Sequence, residues 1–536
     1  MTQQTQISSR HLLPVHGLGE AAHARKLRVS IAVAAEWASH AAGQHLLVCL
    51  INLLCRQTDL VAEIEVVCDE HPLLVTCPGV PNQDSLLATL DALVDWAVGE
   101  EVRIRHRSAL SSTEVTMAIG CPDQFPSDLP VDSLFAIGSG WRAWVGIADK
   151  APRSIVPTNE DPMGSLLAAS IVAGEVFKRA RQAVRGAHIR AGCYSLWSRT
   201  SSEAWHDLSD GPSLRGRTLP PLHVFGVGAV GHALIYTLMA AQLNAPYFVL
   251  IDDDTYDKTN LNRCLLAGLR DVDHAKVFAV SDHVKRHGGG AAAFPCTLQN
   301  YVVADKPELR DDVAAAVKNY QFGLVASCVD KNTSRQSIQG LWPSLIVGAS
   351  TVGLTARSDV YNINEQTACL ACHNPTEPDG EKIRALQAKL RGMSPGGRRD
   401  FLLAHGLPAE AIEAYLNAPA CGKVGESELR AFALQGSPQF SVGFVSMMAG
   451  VLQACALLKL SVFDQPDEYT SPMTAFSFWN GRLLPRKLGI DPRCQMRCET
   501  HRSKGSSAAF GCDPAGTNED AAAAPASDCG HSRNDS

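Results

Sequence analysis

The stretch "LHVFGVGAVGHALIYTLMAAQLNAPYFVLIDDDTYDKTNLNR" (222–263) decides the fold of this chain. Its apolar opening predicts a strand, which leads through Gly226, Gly228 and Gly231, spaced as G-x-G-x-x-G, into an apolar helix. Glycines at this spacing let the backbone turn tightly and approach a phosphate at the helix N-terminus. The stretch therefore predicts a nucleotide-binding strand, turn and helix in a parallel α/β sheet.

The polar residues that follow these glycines indicate which nucleotide is bound. Asp252 ends the second predicted strand, where an acid can bond a ribose hydroxyl in either NAD or ATP. Asn260, Arg263 and Lys276 follow, and three such groups beside a phosphate suit a reaction in which charge develops on phosphoryl oxygens. Asp330 ends a later predicted strand, at an edge where a carboxylate can hold Mg²⁺. The set favours ATP over NAD.

Composition narrows the class of protein. The chain has 536 residues, 46% of them hydrophobic and 19% charged, which is typical of a soluble globular protein of roughly two to four domains. Its formal charge of −7 gives no electrostatic case for a nucleic-acid partner. The longest apolar runs are too short to span a bilayer, and the N-terminus lacks the order of a signal peptide. A cytoplasmic location is expected, where clustered cysteines indicate metal or catalysis.

Strands alternate with helices in two successive units, which predicts two Rossmann-like α/β domains. The expected organisation is a loose leader (1–20), a first α/β domain (21–199), a linker (200–220), a second α/β domain (221–502) and a disordered tail (503–536). A charged helical insertion (376–420) interrupts the second domain. In the first domain "AAEWASHAAG" follows the first strand, so the phosphate loop is missing and this domain is expected to be inactive. An unrelated α/β domain remains an alternative.

The cysteines suggest two further sites. "CLAC" supplies Cys369 and Cys372, and "CQMRC" supplies Cys494 and Cys498, which together suit a closed tetrahedral zinc site; unliganded thiols are the alternative. Cys421 stands apart in a polar, glycine-containing loop next to a lysine that could favour its thiolate. A lone cysteine is most often buried filler.

The motif set "GVGAVG…LIDDDTYDKTNLNR…K…CVDKNTSR" resembles the adenylation domain of ubiquitin-activating enzymes and their ThiF- and MoeB-type bacterial relatives, over about 222–500. The resemblance implies that Asp252 holds the ATP ribose. It implies that Asn260, Arg263 and Lys276 bind the triphosphate and that Asp330 binds Mg²⁺.

The same resemblance extends to other residues. It implies a further basic group at Arg335 and a nucleotide contact at Asp254, supports zinc at the two cysteine pairs, and makes Cys421 the thiol that attacks an acyl-adenylate. Cys264 departs from the pattern, because relatives usually have Gln after the arginine. An arginine from the first domain could also reach the nucleotide, with Arg10 and Arg25 as candidates.

The plan of one inactive and one active unit is similar to that of eukaryotic ubiquitin-activating enzymes, and more narrowly to the activating enzyme of Bil-type bacterial antiphage conjugation operons. It implies ATP, Mg²⁺ and Zn²⁺ as cofactors and, as partners, a ubiquitin-like protein ending in glycine and a conjugating enzyme. Neither nucleic acid nor membrane is expected, and the chain would be a monomer with an internal pseudo-dimer, or a homodimer. A sulfur-carrier adenylyltransferase, a NAD-dependent oxidoreductase and a non-catalytic scaffold are the alternatives.

Overall fold

The computed structural model describes residues 10–498 apart from 21–22, 81–82, 126–128, 185, 363–364, 366, 377–378, 406, 418–428, 430–439 and 466. The strands are β1 Leu27–Val33, β2 Val61–Val67, β3 Arg103–His106, β4 Val115–Ile119, β5 Leu134–Ser139, β6 Arg142–Ile147, β7 Ala191–Ser195, β8 Thr200–Ser202, β9 Leu222–Phe225, β10 Tyr247–Ile251, β11 Gly290–Phe294, β12 Leu324–Ser327, β13 Leu345–Val352, β14 Thr355–Asn362, β15 Met473–Ser477 and β16 Arg482–Arg486. The helices are α1 Ala35–Ala38, α2 Ala41–Cys55, α3 Leu86–Val98, α4 Met163–Ala180, α5 Ala229–Ala240, α6 Lys276–Arg286, α7 Leu298–Val303, α8 Asp311–Lys318, α9 Asn332–Gly340, α10 Asp379–Gly392, α11 Pro395–Ala404, α12 Ala409–Asn417, α13 Gly443–Ser461 and α14 Asp467–Thr470.

The two units share one sheet topology. The strand orders are β3-β2-β1-β4-β5-β6-β7-β8 and β11-β10-β9-β12-β13-β14-β15-β16. In each sheet the first five strands along the chain are parallel, and the last three continue the sheet in antiparallel pairs. This confirms the predicted pair of α/β units, here called the first half (β1–β8) and the second half (β9–β16).

The central strands are apolar because both faces of a parallel sheet are covered by helices. Strand β9 is buried throughout, and β1 is buried at every position but one. The largest hydrophobic core among the described residues runs through both halves, and a second core lies in the second half alone. Each half therefore contributes side chains to a core that the two share.

Helices α4 and α13 form the contact between the halves. They pack against each other, and the rings of Phe177 and Phe444 lie 5.2 Å apart between centroids. Among the described helices, α13 alone is long and apolar enough to cross a membrane, and it is buried inside the protein along its whole length. Its apolar sequence is accounted for by this packing, because it has neighbours on every side.

Two buried lysines occupy equivalent positions in this contact. Lys178 Nζ on α4 donates to the carbonyl of Phe478 in the second half at 2.6 Å, and Lys459 Nζ on α13 lies 3.5 Å from the carbonyl of Leu196 in the first half. Phe478 directly follows β15 and Leu196 directly follows β7, the corresponding strands. The paired glutamates are Glu175 and Glu468. Each half thus sends a lysine to the equivalent carbonyl of the other half, as the two subunits of a two-fold symmetric dimer do, but here within one chain.

The structure adds detail at the predicted boundaries. The first sheet extends to β8, inside the range 200–220 that the sequence indicates as a linker. In the predicted leader, His11 is fully buried, which differs from a loose segment. One buried histidine leaves no periodic signal that could predict this.

The predicted helical insertion contains α10, α11 and α12, which pack around a small core of their own.

Removing one buried lysine tests the contact between the halves. Lys178→Met should lower the free energy of unfolding by about 3–5 kcal/mol, because it leaves the Glu175 carboxylate buried without its cation. The double variant with Glu175→Gln should recover part of this loss. Arg215→Met, which removes an exposed pair with Glu160, should stay within about 0.5 kcal/mol of the parent. Urea unfolding measures all three, and a Lys178→Met protein as stable as the Arg215→Met protein would contradict the assignment.

Candidate active site

The glycine loop between β9 and α5 leaves an open space at a helix N-terminus. Gly226 has φ +89°, and a Cβ there would lie 2.8 Å from the carbonyl carbon of Cys328. A Cβ at Gly231 would lie 2.4 Å from the carbonyl oxygen of Gly226. At Gly228, by contrast, no atom of the described residues lies within 4 Å of the Cβ position. Two glycines are thus required by packing, and the third keeps the approach to the first turn of α5 open to an anion.

Asp252 joins the end of β10 to this loop. Its Oδ2 accepts a hydrogen bond from the backbone N–H of Val227 at 2.6 Å, and its Oδ1 accepts one from Asp254 N–H at 2.9 Å. Burial raises the pKa of Asp252, while Lys276 and the two backbone donors act in the opposite direction. Asp252 therefore fixes the loop geometry, and its predicted contact with the ribose remains a prediction.

Asn260 and Arg263 lie on one tight turn. The N–H groups of Arg263 and of Cys264 both bond to the carbonyl of Asn260. Arg263 is 8% exposed, and its Nη1 donates to Thr259 O and Asn262 Oδ1, each at 2.8 Å. Burial lowers the pKa of Arg263. Cys264, the departure from the family pattern, is buried.

Lys276 is the first residue of α6 and points to the same region. Its Nζ lies 2.5 Å from Asp254 Oδ2. Burial acts to lower the pKa of Lys276, but Asp252 and Asp254 outweigh it and raise the pKa overall. The lysine is therefore cationic. Its partner carboxylate is 68% exposed, so a phosphate could replace it without uncovering a buried charge.

Asp330 and Arg335 complete the edge of the second sheet. Asp330 is exposed three residues after β12, and its charge acts on both Arg263 and Arg335. Arg335 on α9 donates to Asn332 Oδ1 at 2.7 Å and to Asn374 Oδ1 at 3.2 Å, and burial lowers its pKa. The predicted nucleotide residues within the described chain thus gather at the carboxyl edge of the second sheet.

At the carboxyl edge of the first sheet, which corresponds to the edge just described, a buried tryptophan occupies the connection after β1. Trp37, on the short helix α1 after β1, is 0% exposed and donates its indole N–H to Gln124 Oε1 at 3.1 Å. A Cβ at Gly120, which follows β4, would lie 3.2 Å from the Trp37 ring. Trp37 lies in the connection after β1, which corresponds by strand order to the glycine loop after β9. This agrees with the prediction that the first half lacks a phosphate site.

A segment near the N-terminus, in which the sequence indicated Arg10 but not His11, also contacts the turn that carries Arg263. Asn262, which accepts from Arg263, lies with its Nδ2 3.2 Å from His11 Nδ1. His11 Nε2 is 3.2 Å from Asp59 Oδ2, at ion-pair distance but not aligned as a hydrogen bond. Arg10 lies close enough that, after burial, its charge adds to the lowering of the pKa of Arg263. Of the two arginine candidates named from the sequence, Arg10 lies within electrostatic reach of Arg263, and its contact with the nucleotide remains a prediction.

The four predicted cysteine ligands come together. The Sγ atoms of Cys369 and Cys372 lie 3.7 Å apart, and those of the pairs Cys369–Cys494 and Cys372–Cys498 lie 3.5 Å apart. A zinc ion with Zn–S bonds of about 2.3 Å requires edges of about 3.8 Å between sulfurs. All four side chains are buried, and the thiol of Cys369 lowers the pKa of Cys372. The cluster could hold zinc.

The predicted nucleophile Cys421 lies outside the described residues, within 418–428. Its role therefore remains a prediction. Cys264 and Cys455 are buried, and Cys328 is half-buried with its Sγ 3.2 Å from Gln453 Oε1. Burial raises the pKa of all three thiols, which disfavours the reactive thiolate at those positions.

Comparison with known families agrees with the fold. Residues 221–498 match the model of the ThiF family, and the chain belongs to that family. Residues 28–196 match a second model, the BilD N-terminal domain, so the first half has a family match of its own.

Individual relatives are distant and match only part of the chain. The protein y4jF of Sinorhizobium fredii (strain NBRC 101917 / NGR234) is 22% identical over 263 residues, which is 45% of this chain and 48% of that protein. Crystal structures of E. coli MccB with ATP and with MccA-N7isoASN are each 14% identical, with TM-scores of 0.31 and 0.32. They cover 52% of this chain and 65% and 66% of theirs. The chain thus spans less than two thirds of these relatives.

Metal analysis tests the cysteine cluster. Freshly purified protein should contain about one Zn²⁺ per chain, because four thiolates complete a tetrahedral site. Cys372→Ser and Cys498→Ser should each lose the metal and lower the thermal midpoint, since metal binding is coupled to folding. Cys296→Ser, at a half-exposed cysteine outside the cluster, serves as the control. Metal-free wild-type protein with an unchanged midpoint after chelation would rule out a structural zinc.

Proposed function

We propose that this protein is an ATP-dependent activating enzyme for a ubiquitin-like protein. The family supports an adenylyltransferase. One observation supports placing its nucleotide site at the carboxyl edge of the second sheet. The open glycine loop, Asp252, Arg263 and Lys276 converge there, while the buried Trp37 lies in the corresponding connection of the first half. A carboxylate oxygen of the partner's C-terminus attacks the α-phosphorus of ATP, the bond to the leaving phosphate breaks, and acyl-adenylate and pyrophosphate form.

Each residue of the proposed site has a role in binding the nucleotide. The loop of Gly226, Gly228 and Gly231 and the first turn of α5 receive phosphate oxygens through backbone N–H groups. The cationic residues stabilise the negative charge that develops on the phosphoryl oxygens. The assigned nucleotide contacts beyond the glycine loop are Asp252, Asp254, Asn260, Arg263, Lys276, Asp330 and Arg335.

Carboxylates at this edge fit a magnesium ion. The oxygens of Asp252, Asp253 and Asp254 lie within 4.8 Å of one another, and Asp330 is exposed nearby. Oxygen ligands of this kind are those Mg²⁺ prefers, usually with substrate phosphates and water completing the shell. We assign Asp330 as the principal protein ligand. When bound, Mg²⁺ would neutralise charge on the triphosphate.

The second step transfers the acyl group to a thiol. The thiolate of Cys421 attacks the carbonyl carbon of the adenylate, the carbon–oxygen bond to the phosphate breaks, and AMP leaves as the thioester forms. The acyl group then passes to the thiol of a conjugating enzyme. A sulfur-carrier adenylyltransferase would share the first step and lack this one.

The two-half organisation supports the narrower assignment. The match of the first half to the BilD N-terminal domain favours the activating enzyme of a Bil-type conjugation pathway, acting in the cytoplasm in antiviral defence. The reciprocal contacts of Lys178 and Lys459 give one chain the interface that a homodimer would otherwise supply. We propose 21–199 and 221–502 as the corresponding domains and 503–536 as a disordered tail.

The adenylation step depends on Asp330. In Asp330→Ala, pyrophosphate exchange driven by the ubiquitin-like partner should fall by at least about a hundredfold, because the metal loses its carboxylate. Asp311→Ala, at an exposed acid in the first turn of α8, should leave the exchange rate unchanged. Equal rates in the two variants would remove Asp330 from the site, and turnover of NADH by the wild type would overturn the function.

The transfer step depends on Cys421. Cys421→Ala should keep ATP–pyrophosphate exchange within about twofold of wild type, because adenylation needs no thiol, and should lose the partner adduct that reducing agent cleaves. Cys296→Ala should retain both activities. Non-reducing electrophoresis detects the adduct. A persistent adduct would place the acceptor elsewhere, with Cys264 as the next candidate, and absence of an adduct in every protein would favour the sulfur-carrier alternative.

A further inference from the structure

A buried arginine of the first half contacts the turn that carries Arg263 in the second half. Arg56 follows the last residue of α2 and is 0% exposed. Its Nη1 donates to the carbonyl of Leu261 at 2.7 Å, and its Nη2 donates to the carbonyl of Ala267 at 2.8 Å and to that of Leu265 at 3.4 Å. One guanidinium thus bridges both ends of the segment 261–267.

The guanidinium is itself held in a fixed orientation. Asn52, one helical turn earlier, accepts from Arg56 Nε at 2.7 Å and donates its own amide N–H to Leu265 O at 3.2 Å. The ring of Trp96 lies against the guanidinium, and the ring centroid is 5.4 Å from Arg56 Cζ. Because Nε and both terminal nitrogens of Arg56 donate hydrogen bonds, the guanidinium has a fixed orientation. The segment 261–267 is therefore held in place by Arg56.

The chemistry of these partners explains why an arginine is used. The acceptors are three backbone carbonyls of one loop segment, and a positive charge stabilises the partial negative charge on their oxygens. A buried guanidinium is costly unless its donors are satisfied. The planar fork of arginine directs donors from separate nitrogens to separated carbonyls, whereas all the donors of lysine lie on one nitrogen. A helix end needed only for packing would be apolar.

We propose that Arg56 is a positioning residue for adenylation: by fixing the carbonyls of Leu261 and Ala267 it sets the turn that presents Asn260 and Arg263 to the triphosphate. The nucleotide site of the second half is then complete only when the first half is docked. This role rests on the proposed function, because it assigns the turn to ATP. It gives the first half a task in the reaction although that half lacks a glycine loop after β1.

Two readouts on the full-length chain test this role. Titration calorimetry with MgATP measures affinity, and amide hydrogen exchange of 260–267 without nucleotide measures the order of the turn. Arg56→Met removes the donors at similar volume, Arg56→Lys keeps the charge but not the fork, and Arg142→Met is the matched control. Arg142 is a first-half arginine paired with Asp210 and stacked on Trp205, away from the turn.

Arg56→Met should raise the Kd for MgATP by about tenfold or more and speed exchange across 260–267, because a misplaced turn no longer aligns its cation. Arg56→Lys should fall between Arg56→Met and the wild type in both readouts, and Arg142→Met should match the wild type. A folded Arg56→Met protein with wild-type affinity and exchange would overturn the role. If Arg56→Met does not fold, an Arg56→Lys protein with wild-type affinity for MgATP and wild-type exchange across 260–267 would also overturn the role. A wild-type chain that binds no MgATP would overturn the proposed function, and this role with it.

Discussion

The contact between α4 and α13 is the constraint on which the rest of the molecule depends. Each helix lies between the sixth and seventh strands of its half, and each sends a buried lysine to a carbonyl of the opposite half, at equivalent positions after β7 and β15. Breaking this contact would expose a core that both halves share and leave buried charges without partners. The docking of the halves is therefore part of the fold, and Arg56 and His11 can act on the second half from fixed positions.

The two halves share one strand order but differ at the carboxyl edges of their sheets. This difference accounts for a candidate nucleotide site in the second half alone. The strand order is the same in both halves, but the connection after β1 leads into α1 and the buried Trp37, whereas the turn after β9 contains Gly226 and Gly228. Space is open at Gly228, whereas the indole of Trp37 is fully buried. Fold alone does not determine activity, which depends on the side chains at the sheet edge.

The sequence predicted the elements that have strong periodic or motif signals. The strand, turn and helix at 222–240, the parallel units and the four clustered cysteines were all predicted, because they depend on apolar runs, glycine spacing and short cysteine spacers. The antiparallel extension of each sheet was not predicted. Strand β3, which pairs in parallel with β2 at the other edge of the first sheet, was not predicted either. It reads "RIRH", and its half-exposed positions carry charges that hide the strand pattern.

The supporting residues of the site could not be predicted at all. Arg56 and Asn52 belong to a helix whose sequence indicates only burial, and their partners are backbone carbonyls more than 200 residues away. His11 is a single residue in a polar stretch. Such contacts are set by tertiary packing and leave no local pattern, whereas Arg263 and Lys276 were found because they lie at a recognisable distance from a glycine loop.

We propose one nucleotide site for the two copies of the fold in this chain, located in the second half. The most direct test is the stoichiometry of MgATP binding to the full-length protein, measured by titration calorimetry alongside the variant Gly228→Val, which fills the open space of the loop. We expect one nucleotide per chain and none after this substitution. Two nucleotides per chain, or one that remains bound in Gly228→Val, would contradict the proposal.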